Sequence, residues 1–351
     1  MSKIEPDEKL DFKDVLIRPK RSNVHSRSCV DLTREFRFKH SPLIWKGVPV
    51  IAANMDTTGT LQVYETLSKH QIVTALHKFY NLQDFLDYKS NDEKTLDPRF
   101  FMISTGISES DFERLVGILT HIDCNWICID IANGYLDSLI AFCRRVRTQF
   151  PDKIIVAGNV VTREIVEDLI LAGVDIVKAG IGPGSACTTR LKTGVGMPQV
   201  SAILECADAA HGIGGHVISD GGITCPGDMS KAFGAGADFV MIGGQFAGHD
   251  QNPGEIIEHE GKQYKMFYGM SSRKAQETHY GKMNSYRSSE GRVIKIPYKG
   301  DLEITVMDYL GGLRSTCTYV NATNLEELTR RTTFIRVSQQ MNTIFVGANS
   351  G

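Results

Sequence analysis

Asp175-Ile176-Val177-Lys178-Ala179-Gly180-Ile181-Gly182-Pro183-Gly184-Ser185-Ala186-Cys187-Thr188-Thr189-Arg190 is the stretch on which the reading turns. It opens as a short apolar strand and runs straight into a loop. The loop sets glycines, a proline and small hydroxyl residues around one cysteine, a composition that builds no core. Glycine admits backbone angles that other residues avoid and lets a ligand approach the main chain. A cysteine on a loop after a strand sits where scaffold proteins carry their chemistry. Thr193-Gly194-Val195-Gly196-Met197-Pro198 adds a second glycine cluster, so Gly180 to Gln199 reads as one long functional loop.

The strand-then-turn pattern recurs outward from there. Short apolar runs ending at or just before Gly, Asn, Asp or His occupy 48–54, 72–77, 101–105, 126–132, 153–158, 176–181, 216–220 and 239–243. Most begin roughly 23 to 29 residues apart, about one βα unit each. Between them 61–69, 111–119, 136–148 and 162–172 carry apolar residues at helical spacing. The pairs Ala172-Gly173 and Ala235-Gly236 close helices. Alternation of near-continuously apolar strands with helices implies a parallel sheet. Eight units imply a closed (β/α)8 TIM barrel, which a chain of 351 residues accommodates with extensions.

Residues 1–47 read as a charged N-terminal arm. Its basic cluster, 18–27, either meets phosphate or forms a solvated surface. After the eighth strand, 269–300 is rich in Ser, Lys, Arg, Gly and Tyr and reads as a flap over the mouth or as a surface insertion. A helix is predicted at 302–313. With no second apolar core, 1–351 reads as a single barrel domain.

Hydrophobic residues make up 42% and charged residues 23%, as in soluble globular proteins. A formal net charge of -2 argues against a nucleic-acid binder or a polybasic membrane protein, yet leaves room for a local phosphate site. The cysteines, Cys29, Cys124, Cys128, Cys143, Cys187, Cys206, Cys225 and Cys317, show no paired zinc spacing. Free thiols, no apolar signal core and no membrane-length run make the cytoplasm the expected location.

In such barrels the site forms where strands end and loops begin. Those positions hold Asn54-Met55-Asp56, His77-Lys78, Asp130-Ile131-Ala132-Asn133-Gly134, Gly158-Asn159, Cys187 with Thr189, Ser219-Asp220-Gly221-Gly222 and Gly243-Gly244. Glycine turns after strands seven and eight often bind phosphate through backbone N–H groups. Gly221, Gly222, Gly243 and Gly244 therefore point to a phosphorylated substrate or to FMN, or are tight packing turns. Cys187 is the candidate nucleophile, because the thiolate is the reactive form and loop dipoles or cations favour it. Cys225 is its rival, although Pro226 reads as a helix start and makes Cys225 a capping-region residue. Thr189 relays a proton or ties the loop. Lys78 and Asp130 pair with each other inside the mouth or meet a ligand. On spacing alone Glu290 is a solvated flap carboxylate.

The loop 181–190 resembles the catalytic loop shared by IMP dehydrogenases and GMP reductases. Ala53-Asn54-Met55-Asp56-Thr57, Ala157-Gly158-Asn159-Val160-Val161-Thr162, Ser219-Asp220-Gly221-Gly222, Tyr268-Gly269-Met270-Ser271-Ser272 and Gly311-Gly312-Leu313-Arg314-Ser315 agree with that family too. The resemblance runs from about Lys9 to Val337, and it is closer to the GMP reductase branch. Too few residues follow the second strand to hold the regulatory nucleotide-binding modules of IMP dehydrogenases. The flap reads Tyr286-Arg287 with Glu290 after it, rather than the Arg-Tyr pair that activates water.

The resemblance implies NADPH-dependent reductive deamination of GMP to IMP and ammonia through a thioimidate on Cys187. Thr189 and Glu290 would handle the proton that ammonia needs. Ser185, Asp220, Gly221, Gly222, Gly243, Gly244, Gly269, Met270, Ser271, Arg287, Ser288, Ser289 and Gly291 would hold GMP, with Asp220 on the ribose hydroxyls. Lys78, Asp130, Ile131, Ala132, Ile181, Gly182, Met270, Tyr286, Arg287, Ser315, Thr316, Cys317 and Thr318 would line the cofactor side. Ser26 and Arg27 would reach the cofactor of a neighbouring subunit in a homotetramer. Gly182, Gly184, Cys187 and Arg190 would hold a potassium ion. Phe79, Met197 and Gln245 stand where the family usually has His, Tyr and Met, and 282–285 also departs. Rival readings are an IMP dehydrogenase without its regulatory modules, a catalytically silent nucleotide-binding relative and a flavin-dependent barrel.

Overall fold

In chain order the strands are β1 (Val15–Ile17), β2 (Arg34–Arg37), β3 (Ile44–Gly47), β4 (Val50–Ala52), β5 (Val73–Leu76), β6 (Phe101–Thr105), β7 (Trp126–Asp130), β8 (Ile154–Val160), β9 (Ile176–Ala179), β10 (His216–Asp220), β11 (Phe239–Ile242), β12 (Ile257–His259), β13 (Lys262–Tyr268), β14 (Val293–Pro297) and β15 (Phe334–Arg336). The structure is a computed structural model and describes residues 4–270, 272 and 291–338. The eight apolar runs are β4 to β11. They pair in parallel in sequence order, and β11 returns to β4 to close the barrel. Helices cover the outside, so these strands are buried on both faces and read as near-continuous apolar runs. All of β5 and β6 is buried.

Local chemistry sets the helix ends. Thr60 caps Leu61–Leu67, while Asn81 and Ser108 form capping boxes with Asp84 and Asp111. Pro226 opens Pro226–Gly234 in the first turn, where its missing N–H costs nothing. Gly173 and Gly236 follow helices at φ of 105° and 108°, as the Ala-Gly pairs predict.

Four expectations need correction. The N-terminal segment is more than an arm, because the β2–β3 hairpin plugs the base of the barrel. Phe36 stacks on Phe239 at 4.5 Å between ring centroids, and Trp45 meets Trp126 edge-on at 5.6 Å. Gly180 to Gln199 is not a single loop. Thr189–Thr193 is helical, and Gln199 starts the helix Gln199–Gly212 with its buried amide 2.9 Å from the Ala179 carbonyl. The helix predicted at 302–313 runs on to Tyr319. Within it Gly312 is a packing contact, since a Cβ there would sit 2.4 Å from Pro226 Cβ. Finally, β12, β13 and β14 form an antiparallel sheet absent from the sequence reading, and β14 lies inside the span read as flap. Phe267 and Ile296 of that sheet pack on Ala186 of the cysteine loop. Among the described residues no helix is long and apolar enough to cross a membrane.

Candidate active site at the barrel mouth

The C-terminal ends of β4 to β11 surround a cavity of about 760 Å³. Cys187, Thr189, Asp220, Gly221, Gly222, Gly243, Gly244, Ser185, Gly269, Met270 and Gly291 line it, together with Lys78, Asp130, Ile131, Ala132, Ile181, Gly182 and Gly184. Residues spread over most of the sequence thus meet where the barrel topology predicts.

Cys187 is half-buried, and its Sγ lies 3.2 Å from Thr189 Oγ1 at the start of the short helix. Burial pushes the thiols of Cys124, Cys128, Cys143, Cys206 and Cys317 up to about 12, so these stay protonated and inert. Cys225 is exposed, precedes Pro226–Gly234 as its cap residue and does not line the cavity. Of the two rival thiols, only Cys187 lines the cavity.

The glycines close to the cysteine are there for space. A Cβ on Gly244 would sit 2.8 Å from Ser185 Oγ, and one on Gly269 would sit 3.0 Å from the Ala186 carbonyl. Gly221 and Gly222 adopt φ of 90° and 81°, a conformation that side chains resist. Both line the cavity.

A buried charge network forms the floor of the cavity, and the sequence reading missed its centre. Lys178 of β9 points inward with 1% of its side chain exposed. Its Nζ lies 2.8 Å from Asp130 Oδ1 and 3.2 Å from Asp220 Oδ2. Asn54 donates to Asp130 and Asn159 donates to Asp220, each at 2.8 Å. Burial strips water from the Lys178 ammonium, but Asp130 and Asp220 outweigh that and hold its pKa well above the usual lysine range. Burial likewise works against the Asp130 carboxylate, yet Lys178 and Asn54 keep its pKa below the ordinary value. The partner of Asp130 is therefore Lys178, not Lys78. The available signal was one cation inside the apolar run Ile176-Val177-Lys178-Ala179.

The ends of the flap span are tied to the cysteine loop. Arg292 N–H donates to the Ala186 carbonyl at 3.0 Å, and Arg292 Nε donates to the Ser185 carbonyl at 2.9 Å. Gly291 forms a backbone bridge with Cys187. Ser271, Tyr286, Arg287, Ser288, Ser289 and Glu290 lie outside the described residues.

Other expected site residues lie away from the cavity. Ser315, Thr316, Cys317 and Thr318 belong to the outer helix Leu302–Tyr319, which packs on the turn Arg27–Cys29 beside Ser26. Within one chain they do not reach the mouth. The Arg190 side chain leaves it as well, donating to the Met197 carbonyl at 2.5 Å and facing Asp11 at 3.4 Å. Met197, one of the departures from the family pattern, packs with Val161, Ile181 and Ala202 beneath the loop.

Comparison with known proteins agrees with this geometry. Residues 9–343 match the family model described as IMP dehydrogenase / GMP reductase domain. The chain is 56% identical to the GMP reductase of Aliivibrio salmonicida and 57% identical to that of Vibrio vulnificus, each over 345 residues. It is 57% identical to human GMP reductase 2 over 346 residues. In each case the match covers 98% of this chain and 99% of the relative.

Proposed function

The chain belongs to the IMP dehydrogenase / GMP reductase family, and on that premise we propose that it catalyses the reductive deamination of GMP to IMP and ammonia. The observation that carries the reading is the Cys187–Thr189 pair, 3.2 Å apart at a mouth framed by glycine turns, in a chain matching GMP reductases over nearly its full length. The same features support a catalytic protein over a silent relative.

Cys187 attacks C2 of the purine as a thiolate, and the amino group departs as ammonia once protonated. The proton comes through Thr189, whose hydroxyl already faces the sulfur, with Glu290 of the flap as its source. Asp220 holds the ribose hydroxyls by accepting their hydrogen bonds. Ser185, Gly222, Gly243 and Gly244 hold the phosphate through hydroxyl and backbone N–H groups, and Met270 with Gly269 reads the base. The cavity continues past Asp130 to Ile131, Ala132 and Leu136, whose surface suits a flat nicotinamide ring. NADPH bound there would supply the hydride that reduces C2, after which the C2–S bond breaks, Cys187 leaves as thiolate and IMP is freed. Lys78 and Asp130 would orient it. The flap keeps water from the thioimidate, which would otherwise hydrolyse to XMP. The anchors of Gly291 and Arg292 on the cysteine loop support such coupling.

The carbonyls of Gly182, Gly184, Cys187 and Arg190 are hard oxygen donors suited to a potassium ion. Those of Gly184 and Arg190 each accept one amide and keep a second lone pair. Ser26 and Arg27, beside Ser315 to Thr318, would serve the cofactor of an adjacent copy in a cytoplasmic homotetramer. The chain would act as one catalytic unit, since only the helix Leu82–Lys89 lies between β5 and β6.

Cys187→Ala tests the reading. Turnover of GMP disappears, while GMP affinity stays within about tenfold, a loss of about 1.4 kcal/mol. Appreciable residual turnover removes Cys187 from the chemistry.

A further inference from the structure

The base of the barrel, away from the mouth, holds a second cluster of ligating side chains. His211 lies in the last turn of Gln199–Gly212, His216 starts β10 and Asp238 immediately precedes β11. One nitrogen or oxygen of each lies within 4.8 Å of the others. We propose that these three residues bind a divalent transition-metal ion of the zinc type through two imidazole nitrogens and one carboxylate oxygen.

The argument starts with His216. Its Nε2 is 3.0 Å from the Arg37 carbonyl, which only accepts, so Nε2 carries a proton. In the neutral ring Nδ1 is then a bare lone pair, and this atom is buried with no hydrogen-bond partner. It faces Asp238 Oδ2 at 3.4 Å. Two electron-pair donors at that distance repel unless a proton or a metal ion lies between them. Metal-bound imidazoles are commonly oriented this way, with the far N–H donating to a backbone carbonyl. Phe36 and Phe38 meet the ring edge-on at 5.3 and 5.8 Å between centroids and fix its plane.

The other two residues complete the set. His211 Nε2 lies 2.7 Å from the same Oδ2, and with 44% of its side chain exposed it gives solvent access. Asp238 is almost fully buried. Val217 N–H donates to Oδ2 at 3.0 Å, and Arg34 faces the other oxygen at 3.6 Å. Zinc with nitrogen ligands at about 2.0–2.1 Å separates tetrahedral ligands by roughly 3.3 Å, so small shifts suffice. Two imidazoles and a carboxylate favour zinc, nickel or copper over magnesium or calcium, and leave a position for water. Such an ion would rivet the end of one helix to the starts of two barrel strands.

Zinc titration by calorimetry, on wild type, His211→Ala and Cys187→Ala, tests this. One ion binds per chain, and His211→Ala weakens it tenfold or more, since even outer partners of metal sites are worth about 10–100-fold. Cys187→Ala leaves it unchanged. Cobalt gives visible d–d absorption without a thiolate charge-transfer band, and zinc raises the Tm of wild type but not of His211→Ala. His211 is half-exposed, so the variant folds and keeps its GMP turnover. Equal zinc affinity in wild type and His211→Ala, or loss of the ion in Cys187→Ala alone, overturns the proposal and leaves a proton as the only bridge.

Discussion

Lys178→Met keeps the length of the side chain and deletes the charge that sits between two carboxylates. The ammonium is 2.8 Å from Asp130 and 3.2 Å from Asp220, with 1% of the side chain exposed. Without it the carboxylates face each other across about 6 Å at most. At an effective dielectric of about 20, like charges at that separation repel by about 3 kcal/mol. Removing one partner of a buried ion pair costs about 3–5 kcal/mol, which sets the expected loss of stability near neutral pH. The loss depends on pH. In the wild type the depressed Asp130 pKa contributes stability above the unfolded carboxylate pKa, and that stability fades as pH falls through the folded value. In the variant one carboxylate escapes the repulsion by taking a proton as pH falls. The deficit at pH 5 is then smaller than at pH 8. Urea denaturation of both proteins at the two pH values measures this. A deficit below about 1 kcal/mol, or one that does not change with pH, refutes the network as the organiser of the floor.

Other residues give sharper contrasts. Gly244→Ala puts a methyl 2.8 Å from Ser185 Oγ, a mobile hydroxyl. KM for GMP therefore rises while Tm moves by less than about 2 °C; a large drop in Tm with unchanged KM would make Gly244 a packing residue instead. His249 is buried with its Nε2 2.7 Å from the Thr305 hydroxyl, and burial, then Lys299, pushes its pKa down to about 4. A depressed histidine stabilises fully above its unfolded pKa of 6.5 and loses that contribution as pH falls toward 4, up to about 3 kcal/mol. His249→Gln flattens this acid decline in an unfolding series, and identical slopes contradict the burial argument.

The barrel was legible because its strands are buried on both faces. The runs 101–105 and 216–220 are built around Phe101-Met102-Ile103 and Val217-Ile218, and their ends match the strands Phe101–Thr105 and His216–Asp220. Cys187, the glycine turns and Asp220 were legible because their residue types are poor core formers placed at strand ends. Elements stabilised by distant partners were not. Phe36 and Trp45 sit among charges at 34–47, and only contact with Trp126 and Phe239 makes their hairpin a plug. The sheet of β12 to β14 alternates polar and apolar residues too weakly to stand out, with its β12 wholly exposed. Lys178 was missed for a related reason. One cation in an apolar strand gains meaning only when the strands before and after it bring Asp130 and Asp220 within reach.

The central claim is a reductase acting on GMP, and one spectrophotometric comparison tests it most directly. The purified chain is given GMP with NADPH, and in parallel IMP with NAD. The account predicts loss of NADPH absorbance with stoichiometric IMP and ammonia in the first cuvette and no NADH in the second. NADH formation from IMP, with no reaction of GMP, contradicts it and makes the chain a dehydrogenase.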